Sequence, residues 1–338
     1  MAKGKNADKF YNNSILGKIE EMLNLTLMKR VIAIEPYQYK QGSNFKVLPF
    51  YTWAKAGGQT GYCHYPPLRF HGIAYHFELP TLWHNQHKAL LRFTQAQSLS
   101  FDTFPEYACY ETIPLIWDCW PLYFEKTCKW FKRHKVKTAI FTSSQTAERM
   151  RERYPEMNIL TITEGICTER FGKGKDLNQR DIRLFEMGSI KRGYFRKKYP
   201  EEYEKLHNKP DGWGNRGQED LARLLQNSRL TVIFPRSITE PETAQGIETL
   251  TQRYWECMLS RIVMVGHAPK ELTDLVGYNP VIEMDMEHDL EQINELLAHI
   301  EDYQPLVDRN RETALKLGSW DIRMKQVMEW LKRLGYEV

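Results

Sequence analysis

Short runs of β-branched and other apolar residues alternate along the chain with stretches whose apolar positions recur every three or four residues. Runs such as RVIAIE (30–35), IPLIW (113–117) and TAIFT (138–142) show no polar face, as strands buried on both sides of a parallel sheet do. Further strands are predicted at 72–77 and 159–163, with helices at 123–134 and 144–153 between them. Ser143 is placed to cap the second helix and Pro155 to end it. The polar segment 164–180, with three glycines, reads as a linker. A second series follows, with strands at 182–188, 230–234, 262–266 and 280–284. Its helices are a basic one through Tyr203 and others at 218–226, 249–260 and 270–275, with a glycine-rich loop at 211–217. The last fifty residues are helical, and in 320–334 the positions Ile322, Met324, Val327, Met328, Trp330 and Leu331 form an apolar stripe. Near the start, Ile15, Ile19, Met22 and Leu23 predict an extra helix docked on the protein itself. Two alternating series predict two α/β domains, and the cleft between them is where a ligand is expected.

A length of 338 residues suits two domains, and 42% hydrophobic with 27% charged residues excludes a disordered chain. Lys18, Glu20, Glu21, Lys29 and Arg30 interrupt the apolar residues near the start, so neither a membrane span nor a cleavable signal is predicted and a cytoplasmic protein is expected. Six cysteines without a C-x2-C pair predict free thiols rather than zinc or disulfides. The net charge of +4 is unevenly spread: residues 1–170 hold 22 Lys and Arg against 15 Asp and Glu, and residues 171–338 hold 25 against 28. A basic half can meet phosphates, anionic lipid or nucleic acid; an incidental surface imbalance fits equally well.

The stretch 235–269 carries the most chemistry. With a helix from Thr249, Glu248 stands at its entrance and Glu256 two turns on. Eight steps of about 100° turn about 800°, so both carboxylates share one broad side. Backbone N–H groups from about Thr249 to Gln252, helped by the hydroxyls of Thr249 and Thr251, are expected to hold a phosphate. A sugar diphosphate reconciles acids beside an anion site, with Glu248 on sugar hydroxyls and Glu256 on ribose hydroxyls. As a spacing alone, a dipole-complementing acid and a solvated helix residue explain the pair as well. His84-x2-His87 can share a helix face but lacks a third ligand; His64, His71 and His76 are expected to be hydrogen-bonded side chains, and no metal site is predicted. Asp285-Met286-Glu287 reads as a loop.

The order strand, loop, Glu248-x7-Glu256, then Gly266-His267-Ala268-Pro269 and a further strand resembles the C-terminal domain of the group 1 (family 4-like) glycosyltransferases of GT-B fold. Residues 162–171 (ITEGICTERF) resemble that family's crossing between domains, 185–193 (FEMGSIKRG) its phosphate-binding loop, and 278–285 (YNPVIEMD) the strand before its closing helices. The likeness spans roughly residues 110 to 330 and is most specific in the second half. It implies an α/β GT-B fold: two Rossmann-like domains facing each other across a cleft, with the C-terminal helix packing back toward the first. The expected division is an extension at 1–28, an acceptor-side domain at 29–170, a nucleotide-sugar domain at 171–318 and a closing helix at 319–338.

By that resemblance the protein is a retaining hexosyltransferase using a nucleotide-diphosphate sugar, expected in bacterial surface polysaccharide or glycolipid synthesis. No cofactor and no metal are expected. The implied donor residues are Lys191, Arg192, Lys197, Glu248, Thr249, Leu250, Thr251 and Glu256, with Glu248, Asp118 and Arg192 as the catalytic set and Gly57, Gly58 and Asp118 on the acceptor side. Arg253 is either a further diphosphate contact or an ion-pair partner. The acceptor is expected to be a glycan or a lipid-linked sugar, which allows peripheral association with the inner face of the membrane. The sequence departs from the family at Arg261, where a small glycine is common, at Thr249-Leu250-Thr251 for Ser-Phe-Gly, at Ser189 for the first basic residue of the phosphate loop, and at Asp118, near which the family often keeps a histidine. Two other readings stay open: a GT-B-like nucleotide-sugar epimerase, and nucleic-acid binding through KTCKWFKRHKVK (126–137). The latter needs Trp130 and Phe131 exposed, whereas an amphipathic helix would bury them.

Overall fold

The computed structural model describes residues 28–36, 46–62, 79–188, 193–207 and 218–338. The helix expected near residue 15, the strand expected at 72–77, the loop at 211–217, His64, His71, His76, Ser189, Lys191 and Arg192 lie outside these residues.

Two parallel sheets organise the described chain. In the first, β11 (Tyr336–Glu337), β1 (Lys29–Ile34), β3 (Lys88–Gln95), β4 (Glu111–Trp117), β5 (Thr138–Phe141) and β6 (Asn158–Thr161) follow in that order, and β2 (Gln59–Gly61) also pairs with β1. The second runs β10 (Ile282–Glu283), β9 (Val263–Gly266), β8 (Ser228–Ile233) and β7 (Ile182–Leu184). All recorded strand pairs are parallel, which requires helical crossovers and explains the predominantly apolar strands.

β3 has no counterpart among the strands read from sequence. Arg92 interrupts its apolar run, yet this side chain is buried, donating to the carbonyl of Asp102 and lying 3.6 Å from Glu106. A paired guanidinium is tolerated inside a sheet where an unpaired one is not. The segment holding His84 and His87 precedes β3 and is not helical, so these two do not share a helix face.

The side chains of the first sheet alternate between two cores. Ile113, Leu115 and Ile140 point toward α1 (Val47–Lys55) and the closing helix, whereas Ile116, Ala139 and Phe141 point toward α2 (Pro121–His134) and α3 (Ser144–Arg153). Trp130 and Phe131 of α2 are buried in the second core, so neither is available to stack on a nucleic-acid base. The α3 boundaries match the helix expected from its cap: Ser143 Oγ accepts the Thr146 N–H at 3.4 Å.

In the second half, α4 (Gln252–Leu259), α5 (Lys270–Val276) and α6 (Gln304–Leu317) flank the sheet, and Trp255, Met258 and Leu259 are fully buried. The chain then returns: α7 (Trp320–Arg333) lays Trp320, Met324, Val327 and Leu331 into the core of the first sheet, and β11 pairs with β1. Tyr336 reaches Glu111, which also holds Lys29. No helix among the described residues is long and apolar enough to cross a membrane.

Candidate active site

Strand C-terminal ends carry the polar residues on both sides of the interdomain cleft, as expected where helices begin and backbone donors are unpaired. Gln95 ends β3 and Asp118 follows β4; the Gln95 amide donates to Asp118 Oδ2 at 2.7 Å. Asp118 adopts a left-handed backbone, φ 53°, which turns the chain from β4 into α2. Thr142 follows β5 and Glu164 lies beyond β6. Across the cleft stands the segment from Ile247 to Thr251. Asp118, Thr142, Thr146, Glu164, Ile247 and Thr249 help to line a cavity of about 10 Å³, room for roughly one water molecule.

The helix carrying Glu256 begins at Gln252 and not at Thr249; Thr251 is its extended N-cap, at φ −101° and ψ 162°. Glu248 therefore lies outside the helix, and the rotation argument for a shared helical side does not apply to it. Outside acceptors explain the extended entry, since they take the N–H groups expected to be unpaired. Gln145 accepts from Glu248 N at 2.8 Å, Glu271 from Leu250 N at 2.7 Å, and Glu164 from Gln252 N at 3.1 Å. The same Glu271 accepts from Ser144 N at 2.5 Å and Ser144 Oγ at 2.6 Å, so one α5 carboxylate ties the start of α3 to the loop before α4. Thr249 Oγ1 donates to Thr142 O at 3.3 Å. The Thr251 hydroxyl is buried with no partner among the described residues, and Leu250 is fully buried.

Glu248 is held from two sides. Ser237 Oγ donates to it at 3.3 Å, and His267 Nε2 lies 3.5 Å away. His267 Nδ1 is 2.6 Å from Glu283, so one imidazole spans carboxylates from two segments. Burial pulls the imidazole toward neutrality, but the Glu283 hydrogen bond and the charges of Glu283 and Glu248 outweigh it and raise its pKa. Gly266 makes this placement possible. Its φ of +148° and the 1.8 Å separation between a would-be Cβ and Ile233 O exclude any side chain. His267 N then donates to Ile233 O at 3.0 Å, and Tyr254 Oη to His267 O at 2.8 Å.

Glu256 is buried, and desolvation pushes its carboxyl up to about 7 against the pull of Arg253. Glu164 goes further, to about 8, through desolvation first and then the charges of Asp118 and Glu256; its bond from Gln252 N and the Arg253 charge oppose the shift. Its backbone is fixed by the Trp255 indole, which donates to Glu164 O, and by Arg323, which binds the adjacent Thr163. Arg253 thus acts electrostatically on both carboxyls while donating to Phe234 O at 3.4 Å.

The other expected site residues are more dispersed. Lys197 is exposed on a short helix, Phe195–Lys198. The start of that helix is held by buried Glu186, which accepts from the backbone N–H groups of Tyr194, Phe195 and Arg196. Gly57 and Gly58 close α1: Gly57 has φ +94°, and a Cβ on Gly58 would lie 2.3 Å from the Trp53 ring. Neither borders the Asp118 cavity. Arg261 occupies a left-handed position, φ 55°, just beyond α4, where glycine would be unstrained. Its buried guanidinium binds Asp308 at 2.6 Å and Asp176 at 2.8 Å. Among the described residues no group of three His, Cys, Asp or Glu side chains is arranged to hold a metal ion.

Glu164, Gln145, Glu271 and His267 were given no role from sequence. Glu164 and His267 lie within the segments that carry the resemblance, but Gln145 and Glu271 enter only through hydrogen bonds between segments distant in sequence, to Glu248 N and to Ser144 and Leu250 N.

No family model matches the chain, and no curated protein matches it by sequence. Solved structures match it in fold. Sucrose-phosphate synthase from Thermosynechococcus elongatus aligns over 90% of this chain and 99% of its own, at 13% identity and a TM-score of 0.58. HepE of Anabaena, in complex with UDP and glucose, covers 90% of this chain and 100% of its own, at 10% identity and TM-score 0.58. AviGT4, a glycosyltransferase involved in avilamycin A biosynthesis, covers 91% and 98%, at 12% identity and TM-score 0.55. The two parallel sheets facing across a cleft are a GT-B fold.

Proposed function

We propose that this GT-B protein is a glycosyltransferase that moves a sugar from a nucleotide-diphosphate donor to an acceptor hydroxyl, with retention at the anomeric carbon. The observation that supports the reading is the cleft itself: Asp118 lines its cavity together with Ile247 and Thr249, the neighbours of Glu248, and with Glu164, whose carboxyl the charge of the buried Glu256 raises. In this reading Glu248, steadied by Ser237 and His267, accepts from sugar hydroxyls, and Glu256 accepts from the ribose. Thr249, Thr251 and the nearby backbone N–H groups face the diphosphate after Glu271 and Glu164 release Leu250 and Gln252. Lys191, Arg192 and Lys197 supply positive charge to the leaving group, a form of electrostatic catalysis that needs no metal. Asp118, oriented by Gln95, positions the acceptor hydroxyl, whose proton passes to the departing phosphate oxygen.

Since HepE was solved with UDP and glucose, UDP-glucose is the first donor to try, followed by GDP-, ADP- and CMP-linked sugars. Calorimetric titration fixes the donor class, and product analysis separates transfer from epimerisation, which would return a rearranged sugar nucleotide without an acceptor. Glu248→Ala and Glu256→Ala, each shown to be folded, are expected to lower turnover at least 100-fold, the scale of losing a strong transition-state contact. Near-normal turnover in both variants removes the site assignment. A glycan or lipid-linked acceptor, a role in polysaccharide or glycolipid synthesis, and work at the cytoplasmic face of a membrane belong to the same proposal.

A further inference from the structure

The outer face of α2 is unusual for a surface helix because its cations lie between apolar residues at both ends. Leu122, at the cleft end, is 69% exposed; Lys126, Lys129, Lys132 and Arg133 follow at helical spacing, all exposed. At the far end the preceding chain crosses the helix terminus, with Thr81 Oγ1 3.4 Å from Arg133 O and 3.2 Å from His134 Nδ1. The next two residues, Leu82 and Trp83, are 60% and 61% exposed, although their N–H groups are fixed on Ala108 O. On the flank of α2 toward α3 a groove of about 480 Å³ opens between the ends of the two helices, lined by Lys132, Lys135, Arg153 and Glu156. Glu125, also exposed on α2, lies 3.9 Å from Arg153. A lone exposed leucine needs no explanation, but a tryptophan and two leucines framing a cationic stripe do.

We propose that this face of α2, with the Leu82–Trp83 turn, docks on an anionic lipid bilayer. Lys126, Lys129, Lys132 and Arg133 then lie at the depth of the lipid phosphates, the groove takes a phosphodiester headgroup, and Trp83, Leu82 and Leu122 enter the interface. Nucleic acid is disfavoured because a bilayer alone uses the exposed aliphatic side chains, and the aromatic residues within the basic run are buried. The orientation has a consequence that rests on the transferase reading. A 14-residue helix is about 20 Å long, and α2 starts three residues after Asp118. Lying flat, it brings the cleft mouth to the membrane, where an acceptor carried in the leaflet is within reach.

The test is sedimentation of the full chain with vesicles of phosphatidylcholine alone or with 30% phosphatidylglycerol, at low and moderate salt. The expected result is binding only to the anionic vesicles, weakened by salt. Lys129→Glu with Lys132→Glu should weaken it at least 20-fold, since each cation near such a surface contributes about fivefold. Trp83→Ser should weaken it several-fold with an unchanged circular dichroism spectrum. Lys316→Glu with Lys325→Glu, on helices away from this face, should leave it unchanged. Failure to bind anionic vesicles, equal loss in the control pair, or salt-sensitive binding to single-stranded RNA without vesicle binding overturns the proposal. No donor or turnover is measured, so the outcome is separate from that of the transferase reading.

Discussion

Replacing Glu164 by glutamine removes one ionisable group and leaves an oxygen to accept the Gln252 N–H. In the folded protein, desolvation and the charges of Asp118 and Glu256 push this carboxyl from 4.5 to about 8. A group raised on folding contributes stability that is fully present below its unfolded pKa and is lost as pH rises through its folded value, here between about 4.5 and 8. Moving a carboxyl from 4.5 to about 8 corresponds to a ceiling of about 5 kcal/mol. Glu164 is only half-buried, so solvent screens part of this cost and about 2 kcal/mol is the expected size. Urea unfolding at pH 5, 7 and 9 measures it. At pH 5 Glu164→Gln should match the unmodified protein within about 1 kcal/mol, and at pH 9 it should be more stable by about 2 kcal/mol. A difference that stays constant with pH, or shrinks as pH rises, refutes the argument that an enforced charge in the cleft is the cost.

His267 should titrate above 6.5 in an NMR experiment on its imidazole, and Glu283→Gln should move that midpoint down; no movement would detach the two residues. At Arg261 two effects compete: Arg261→Gly relieves the left-handed strain but loses both aspartate contacts, whereas Arg261→Ala loses the contacts and keeps the strain. The expected stability order is Arg, then Gly about 1–2 kcal/mol lower, then Ala about 1 kcal/mol below Gly, and a glycine variant above the parent would contradict it. Glu271→Ala frees Ser144 and Leu250 together, so both amides should exchange hydrogen faster than in the parent protein; unaltered exchange at Leu250 would show that this carboxylate does not hold the two walls.

Apolar periodicity makes much of the fold legible. The strands at 113–117 and 138–142 and the helix at 144–153 need only local information: β-branched runs, one capping serine and a terminating proline. β3 escapes such reading because Arg92 looks prohibitive until Asp102 and Glu106, ten and fourteen residues later, are seen to hold it. The start of α4 is hidden for a related reason. Thr249 to Thr251 have nothing against helix in their immediate neighbourhood, but Glu271 and Glu164, distant in sequence, take the loop's N–H groups and keep it extended. Glu248 and Glu256 are visible as a spacing, whereas the imidazole beside Glu248 depends on a glycine that lets β9 end against β8.

The pairing of β11 with β1 also bears on how the molecule is made. Strand β1 starts at Lys29, but its neighbour at the sheet edge is Tyr336–Glu337. A nascent chain that has completed β1 to β6 still lacks this neighbour and the apolar face of α7. The first α/β unit therefore emerges with part of its core open, and must wait for the whole second unit to be synthesised. Through the synthesis of the second unit the earlier one stays unfinished, and its core closes only when α7 and β11 arrive.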